Sequence, residues 1–174
     1  GDARVQGLFA GRLLVHLRSA WKTQDRTFPA GSLVALPFSP EDGPGTESAL
    51  ELVAAPDERR SLEAVSIASS MVYLVFLDNV KGRLERARLG PEGWSREPVA
   101  MPDHGSVSVA SSDAFDDRVF VSFENFLTPP TVYALGNGLP RALKSLPPRF
   151  DPKGLSVEQS QAVSADGTRV PYFL

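Results

Sequence analysis

Apolar residues run unbroken from Met71 to Leu77 (MVYLVFL), whereas from Arg83 to Leu89 (RLERARL) they alternate with charged ones. The first pattern fits a strand covered on both faces, the second a strand with one face toward solvent. Eight further segments, each bounded by turn formers, carry β-branched, aromatic or aliphatic residues: Arg12 to Arg18, Gly31 to Leu36, Ala49 to Val53, Leu62 to Ala68, Val107 to Ala110, Arg118 to Phe123, Thr131 to Leu135 and Ala142 to Leu146. No long stretch shows the three-and-four spacing of a helix, and 15 prolines and 14 glycines are scattered along the chain. The predicted fold class is all-β.

The strands recur as a set. MVYLVFL ends in Asp78-Asn79 and is followed by RLERARLG, and the strand Arg118 to Phe123 ends in Glu124-Asn125 and is followed, after FLTPP, by TVYALG. Val72 and Val119 stand 47 positions apart, within the roughly 40 to 50 residues of a four-stranded propeller blade. An earlier unit, LLVHLRSAW followed by AGSLVAL, fits the same plan if TQDRTFP and EDGPGTES are loop insertions. The pattern predicts a partial β-propeller of about three four-stranded antiparallel blades, at residues 12–56, 60–102 and 104–147 within a unit spanning 1–157. A plain antiparallel sandwich or meander is the alternative from strands and turns alone. Three blades do not close a ring, so an apolar face is expected to lie bare at each end, to be covered by further blades or by self-association.

Composition narrows the function more than the fold. A net charge of −3 with 22% charged residues gives no electrostatic support for a nucleic-acid partner. No apolar run approaches the roughly 18 residues of a membrane-spanning helix, so no membrane partner is expected. The opening Gly1-Asp2-Ala3-Arg4 lacks the charged-then-apolar layout of a signal peptide, and the chain is expected to extend upstream. With no cysteine, disulfides and thiolate metal sites are excluded, and the compartment stays open between cytoplasm and periplasm.

In order along the chain, LLVHLRSAW...FPAGSLVAL, VYLVFLDNVKGRL, VFVSFENFLTPPTVYAL and FDPKGLSVEQSQAVSADGTRVPYFL resemble the later propeller blades of the prolyl oligopeptidase family of serine peptidases. The resemblance runs from about Leu13 to Leu174. It implies a seven-bladed propeller over an α/β-hydrolase domain, with residues 158–174 as the hairpin that leads into the hydrolase. Ser164-Ala165-Asp166-Gly167-Thr168 would form its turn, and Asp-Gly is itself a strong hairpin dipeptide. By the same resemblance the parent cleaves short peptides, typically after proline, with a Ser-His-Asp triad lying beyond Leu174. This piece would then gate access to its own catalytic domain and be inactive alone.

The residues present offer little chemistry of their own. No G-x-S-x-G nucleophile elbow occurs; Ser32 (AGSLVA) and Ser106 (HGSVSV) lack the second glycine and read as turn or strand-entry residues. His16 and His104 show no triad partner and no zinc-binding spacing, so no catalytic, cofactor-binding or metal residues and no cofactor are expected. Glu41-Asp42, Asp57-Glu58 and the acids of Asp113 to Asp117 (DAFDD) would serve a propeller glycosidase only if they converged; as loop acids they cap turns. Trp21, Trp94, Phe115, Phe123 and Phe126 are expected mostly to pack blades together, and EDGPGTES lacks a phosphate-loop pattern. A propeller glycosidase and a non-catalytic propeller scaffold for protein interaction are the competing functions.

Overall fold

A computed structural model describes residues 2–136 and 139–174; residues 137 and 138, inside the third predicted blade, lie outside the described residues. The chain forms β1 (Ala3–Phe9), β2 (Arg12–Leu17), β3 (Trp21–Lys22), β4 (Thr27–Phe28), β5 (Leu33–Ser39), β6 (Gly43–Pro44), one 3-10 turn (Glu47–Ala49) and β7 (Glu51–Ala54). These are followed by β8 (Arg60–Ile67), β9 (Val72–Asp78), β10 (Lys81–Gly90) and β11 (Gly93–Pro98), then by β12 (Ser106–Asp113), β13 (Asp116–Glu124), β14 (Thr131–Leu135) and β15 (Arg141–Ser145). A last hairpin comprises β16 (Gln159–Val163) and β17 (Arg169–Phe173). The antiparallel sheets run β1-β2-β5-β7, β8-β9-β10-β11 and β12-β13-β14-β15, with β6 attached to the end of β5. The first strands β1, β8 and β12 are neighbours in space, so the sheets are stacked face to face with their opening strands along one inner edge. This is a partial β-propeller of three four-stranded blades.

Alternation along each strand divides its side chains between the two neighbouring sheets. In β9, Val72, Leu74 and Phe76 join Phe9, Leu14, Leu33 and Val53 in the core between the first and second sheets. Their alternates Tyr73 and Val75 pack with Val107, Val119, Val121 and Phe123 between the second and third. Both faces of β9 are thus buried, which is why its sequence is uninterrupted apolar residues. Trp94 seals the first interface by lying 5.6 Å from the Phe9 ring and donating Nε1–H to Glu51 Oε2 at 2.8 Å, while Arg12 Nε donates to the same carboxylate.

Three expectations need correction. The first sheet begins at Ala3 rather than residue 12, because Ala3 to Phe9 pairs with β2; a bulge between Val5 and Gly7 breaks the alternation that marks a strand. Gly7 adopts φ +143°, which L side chains rarely do, and faces Ile67 of the second sheet. TQDRTFP is not simply a loop: Trp21 and Lys22 pair with Phe28 and Thr27. This short ribbon changes the third expectation. Phe28, Leu50 and Trp21 cover Val15, Leu17, Val34 and Leu36, so the middle of the first sheet's outward face is covered by its own chain, while Val5, Leu8 and Leu52 on the same face stay exposed. The outward face of the third sheet is open, with a cleft of about 420 Å³ whose walls include Phe120, Ala134, Leu139 and Leu143.

Candidate functional site at the handover end

A sheet of four antiparallel strands takes in the chain and releases it at the same end. The sheet-to-sheet connections 55–59 and 99–105, the linker 146–158 and the final hairpin therefore share one end of the stack with the β9–β10 turn and the β13–β14 loop. There the hairpin touches the sheets. Gln159 Nε2–H donates to the Asn79 carbonyl at 2.6 Å. The Phe173 ring lies 5.8 Å from Phe126 and meets His104 edge-on, with centroids 6.2 Å apart and planes at 86°. These rings and Val80, Gly105 and Ser106 border a cleft of about 340 Å³.

Polar groups tie the seat together. Lys81 Nζ lies 3.2 Å from His104 Nε2, and His104 Nδ1 faces Asp103 Oδ2 at 3.7 Å. Burial works to raise the Asp103 carboxyl, but the His104 backbone N–H and the Arg83 guanidinium, 2.9 Å away, outweigh it and hold Asp103 below the usual carboxylate range. Asn125 Nδ2 donates to the Asp103 carbonyl, and its Oδ1 accepts from the Leu127 and Thr128 amides, which fixes the β13–β14 loop. Beside that loop, Phe126, Pro129, Pro130, Pro147, Pro148 and Phe150 line a cleft of about 580 Å³. In the hairpin turn, the Ser164 amide donates to the Thr168 carbonyl, the Gly167 amide, at φ +85°, donates to the Ser164 carbonyl, and Asp166 Oδ1 accepts from the Thr168 amide. That N–H keeps the Asp166 carboxyl below its ordinary range.

The residues singled out in the sequence do not assemble into one reactive centre. Ser32 is fully buried beside β5, Ser106 opens β12, and neither hydroxyl bonds a histidine among the described residues. His16 sits within β2, opposite Leu33. Asp57 caps its own turn through the Arg59 and Arg60 amides, and Ser39 Oγ accepts from the Glu41 and Asp42 amides. The acids of DAFDD lie at the opposite end of the stack. Asp113 caps the Phe115 amide, Asp116 binds Arg118, and Asp117 receives the Ser70 amide and hydroxyl across to the second sheet. Trp21, Trp94 and Phe123 pack between or over sheets, Phe115 projects from the DAFDD turn at 93% exposure, and Phe126 belongs to the hairpin seat. Gln159, Asn79, Val80 and Lys81 were not singled out; Gln159 and Asn79 meet across 80 residues, and no short-range pattern announces such a contact. Among the described residues there is no cluster of three or more potential metal ligands.

Stacked four-stranded antiparallel sheets whose sheet-to-sheet connections share one end define a β-propeller domain. Residues 14–137 match the family described as prolyl oligopeptidase, N-terminal β-propeller domain, and the chain belongs to that family. It is 31% identical over 99% of its length to an uncharacterized peptidase of Sinorhizobium fredii, and 28% identical over 99% to an uncharacterized peptidase of Rickettsia prowazekii. In each case it spans 24% of the relative. The solved structure of a post-proline cleaving enzyme from Rickettsia typhi superimposes with a TM-score of 0.81 at 30% identity, covering 99% of this chain and 25% of that one.

Proposed function

We propose that these residues are the later propeller blades of a prolyl-oligopeptidase-like serine peptidase, which gate the access of short peptides to a catalytic domain carried outside the 174 residues. In this reading 1–157 form the blades and 158–174 the handover into an α/β-hydrolase sheet. The observation that carries it is the seated hairpin β16–β17: it leaves the blades at the end where their connections gather and ends in a strand that pairs with no blade. The likeness to a post-proline cleaving enzyme supports cleavage after proline by the whole protein. A serine would attack the peptide carbonyl, a histidine would move the proton, and an aspartate would orient that histidine; none of these roles falls on a residue named here. The blades would limit entry by size, and domain opening would admit the peptide. The purified 174-residue chain is expected to give no turnover of a proline-containing fluorogenic peptide that a chain continued through the hydrolase portion cleaves. Turnover by the 174 residues alone would overturn the reading.

The partly covered first face and open third face sharpen the expected self-association. Among the described residues the third sheet has no ribbon over its outward face, where Leu139 is 82% exposed, so pairing is expected to be face to face between two third sheets rather than head to tail. Light scattering is expected to show a concentration-dependent dimer that Leu143→Glu returns to monomer. A strictly monomeric wild type at every concentration would refute this.

A further inference from the structure

The hairpin β16–β17 is lightly attached. Its side chains are largely exposed on both faces, and what binds it to the sheets is the Gln159–Asn79 hydrogen bond together with the Phe173 ring against Phe126 and His104. The backbone beneath it is unusual. Four non-glycine residues are described at positive φ, and three of them form this seat: Asn79 at 45°, Val80 at 67° and His104 at 57°. Asparagine enters the left-handed region with little penalty, but a residue branched at Cβ does so at real steric cost. A two-residue turn with both central residues at positive φ is built most readily from Asn-Gly. This chain has Asn-Val, and Val80, 43% exposed, borders the same cleft as Phe173.

We infer that the Asn79-Val80 turn, with His104 and Phe126, is a docking seat for the handover hairpin that keeps local backbone strain in exchange for an apolar wall, and that the hairpin leaves and re-enters this seat as a unit while the three sheets stay folded. Strain at a position that glycine would relieve points to a role for the side chain itself. Release breaks one side-chain hydrogen bond and two ring contacts and leaves the sheet cores untouched. A free two-stranded hairpin is only marginally stable in water, so release exposes its amides to exchange. The inference rests on contacts within these residues and stands whether or not the peptidase reading holds.

Residue-resolved amide hydrogen exchange on the intact 174-residue chain tests it. The β16–β17 amides are expected to exchange at least about tenfold faster than those of β9 and β13, as a sub-global opening requires. Phe173→Ala should speed hairpin exchange roughly tenfold further without changing β9, and Gln159→Ala should do so by a smaller factor. Val80→Gly is the discriminating variant: the thermal midpoint of the sheets stays level or rises while hairpin exchange accelerates. Hairpin exchange unchanged or slowed in Val80→Gly, a lowered midpoint in that variant, or one common exchange rate for hairpin and sheets in the wild type would each overturn the inference.

Discussion

Replacing Gly105 with alanine is expected to cost about 3 kcal/mol of folding stability, at the upper end of what overpacking usually does. An added Cβ would collide with the Glu124 carbonyl oxygen and lie 2.5 Å from a carbon of the Phe123 ring. Neither obstacle can retreat: the first is strand backbone, and Phe123 is fully buried between the second and third sheets. The Gly105 carbonyl also accepts the Gly82 amide at 2.8 Å, so a shift of this segment would pull on β10 as well. Urea unfolding should show the midpoint falling with the slope unchanged. Gly90→Ala is the control, since its added Cβ meets nothing nearer than 3.8 Å, and should stay within about 0.5 kcal/mol of wild type. A Gly105→Ala variant as stable as Gly90→Ala would mean that the sheets are packed less closely than described.

That close approach also shows what could be read from sequence. The central strand β9 was legible because burial on both faces leaves a run of apolar residues, and the recurrence of its plan 47 positions on, in β13, gave the blade plan. The outer strands were harder. β1 carries exposed Arg4 and Val5 and a bulge at Gly7, and β11 is mostly exposed beyond Trp94, so neither shows a continuous pattern. The ribbon over the first sheet was invisible for another reason: Phe28 is a single apolar residue among polar neighbours, and its burial depends on residues far along the chain. In the hairpin seat the local turn at Asp166-Gly167 was legible, whereas the pairing of Gln159 with Asn79 and of Phe173 with His104 arises only once the blades have stacked.

Removal of the Glu85 carboxylate is expected to be the most damaging change among the ion pairs. Glu85 Oε1 accepts from Arg60 at 2.5 Å and Oε2 from Arg96 at 3.0 Å, with the Glu85 side chain only 14% exposed. Both guanidinium groups also lie over the Phe76 ring, at 4.4 and 5.9 Å, on a residue that belongs to the core between the first two sheets. In Glu85→Ala two cations would face one aromatic ring with no anion between them. Breaking a buried pair costs about 3–5 kcal/mol, but the arginines keep about a third of their exposure, and solvent screening brings the expected loss to about 2 kcal/mol. The Arg18–Asp2 pair, mostly exposed and 3.9 Å apart, provides the contrast: Asp2→Ala should change stability by about 0.5 kcal/mol or less. Urea denaturation of both variants, with a double-mutant cycle of Glu85→Ala against Arg96→Ala, separates lost attraction from the repulsion left behind. Removing Arg96 in the Glu85→Ala background should recover part of the loss, because it takes away one of two unopposed charges. Equal effects for Glu85→Ala and Asp2→Ala would show that the triad, which ties β8, β10 and β11 within the second sheet, contributes no more than an ordinary surface pair.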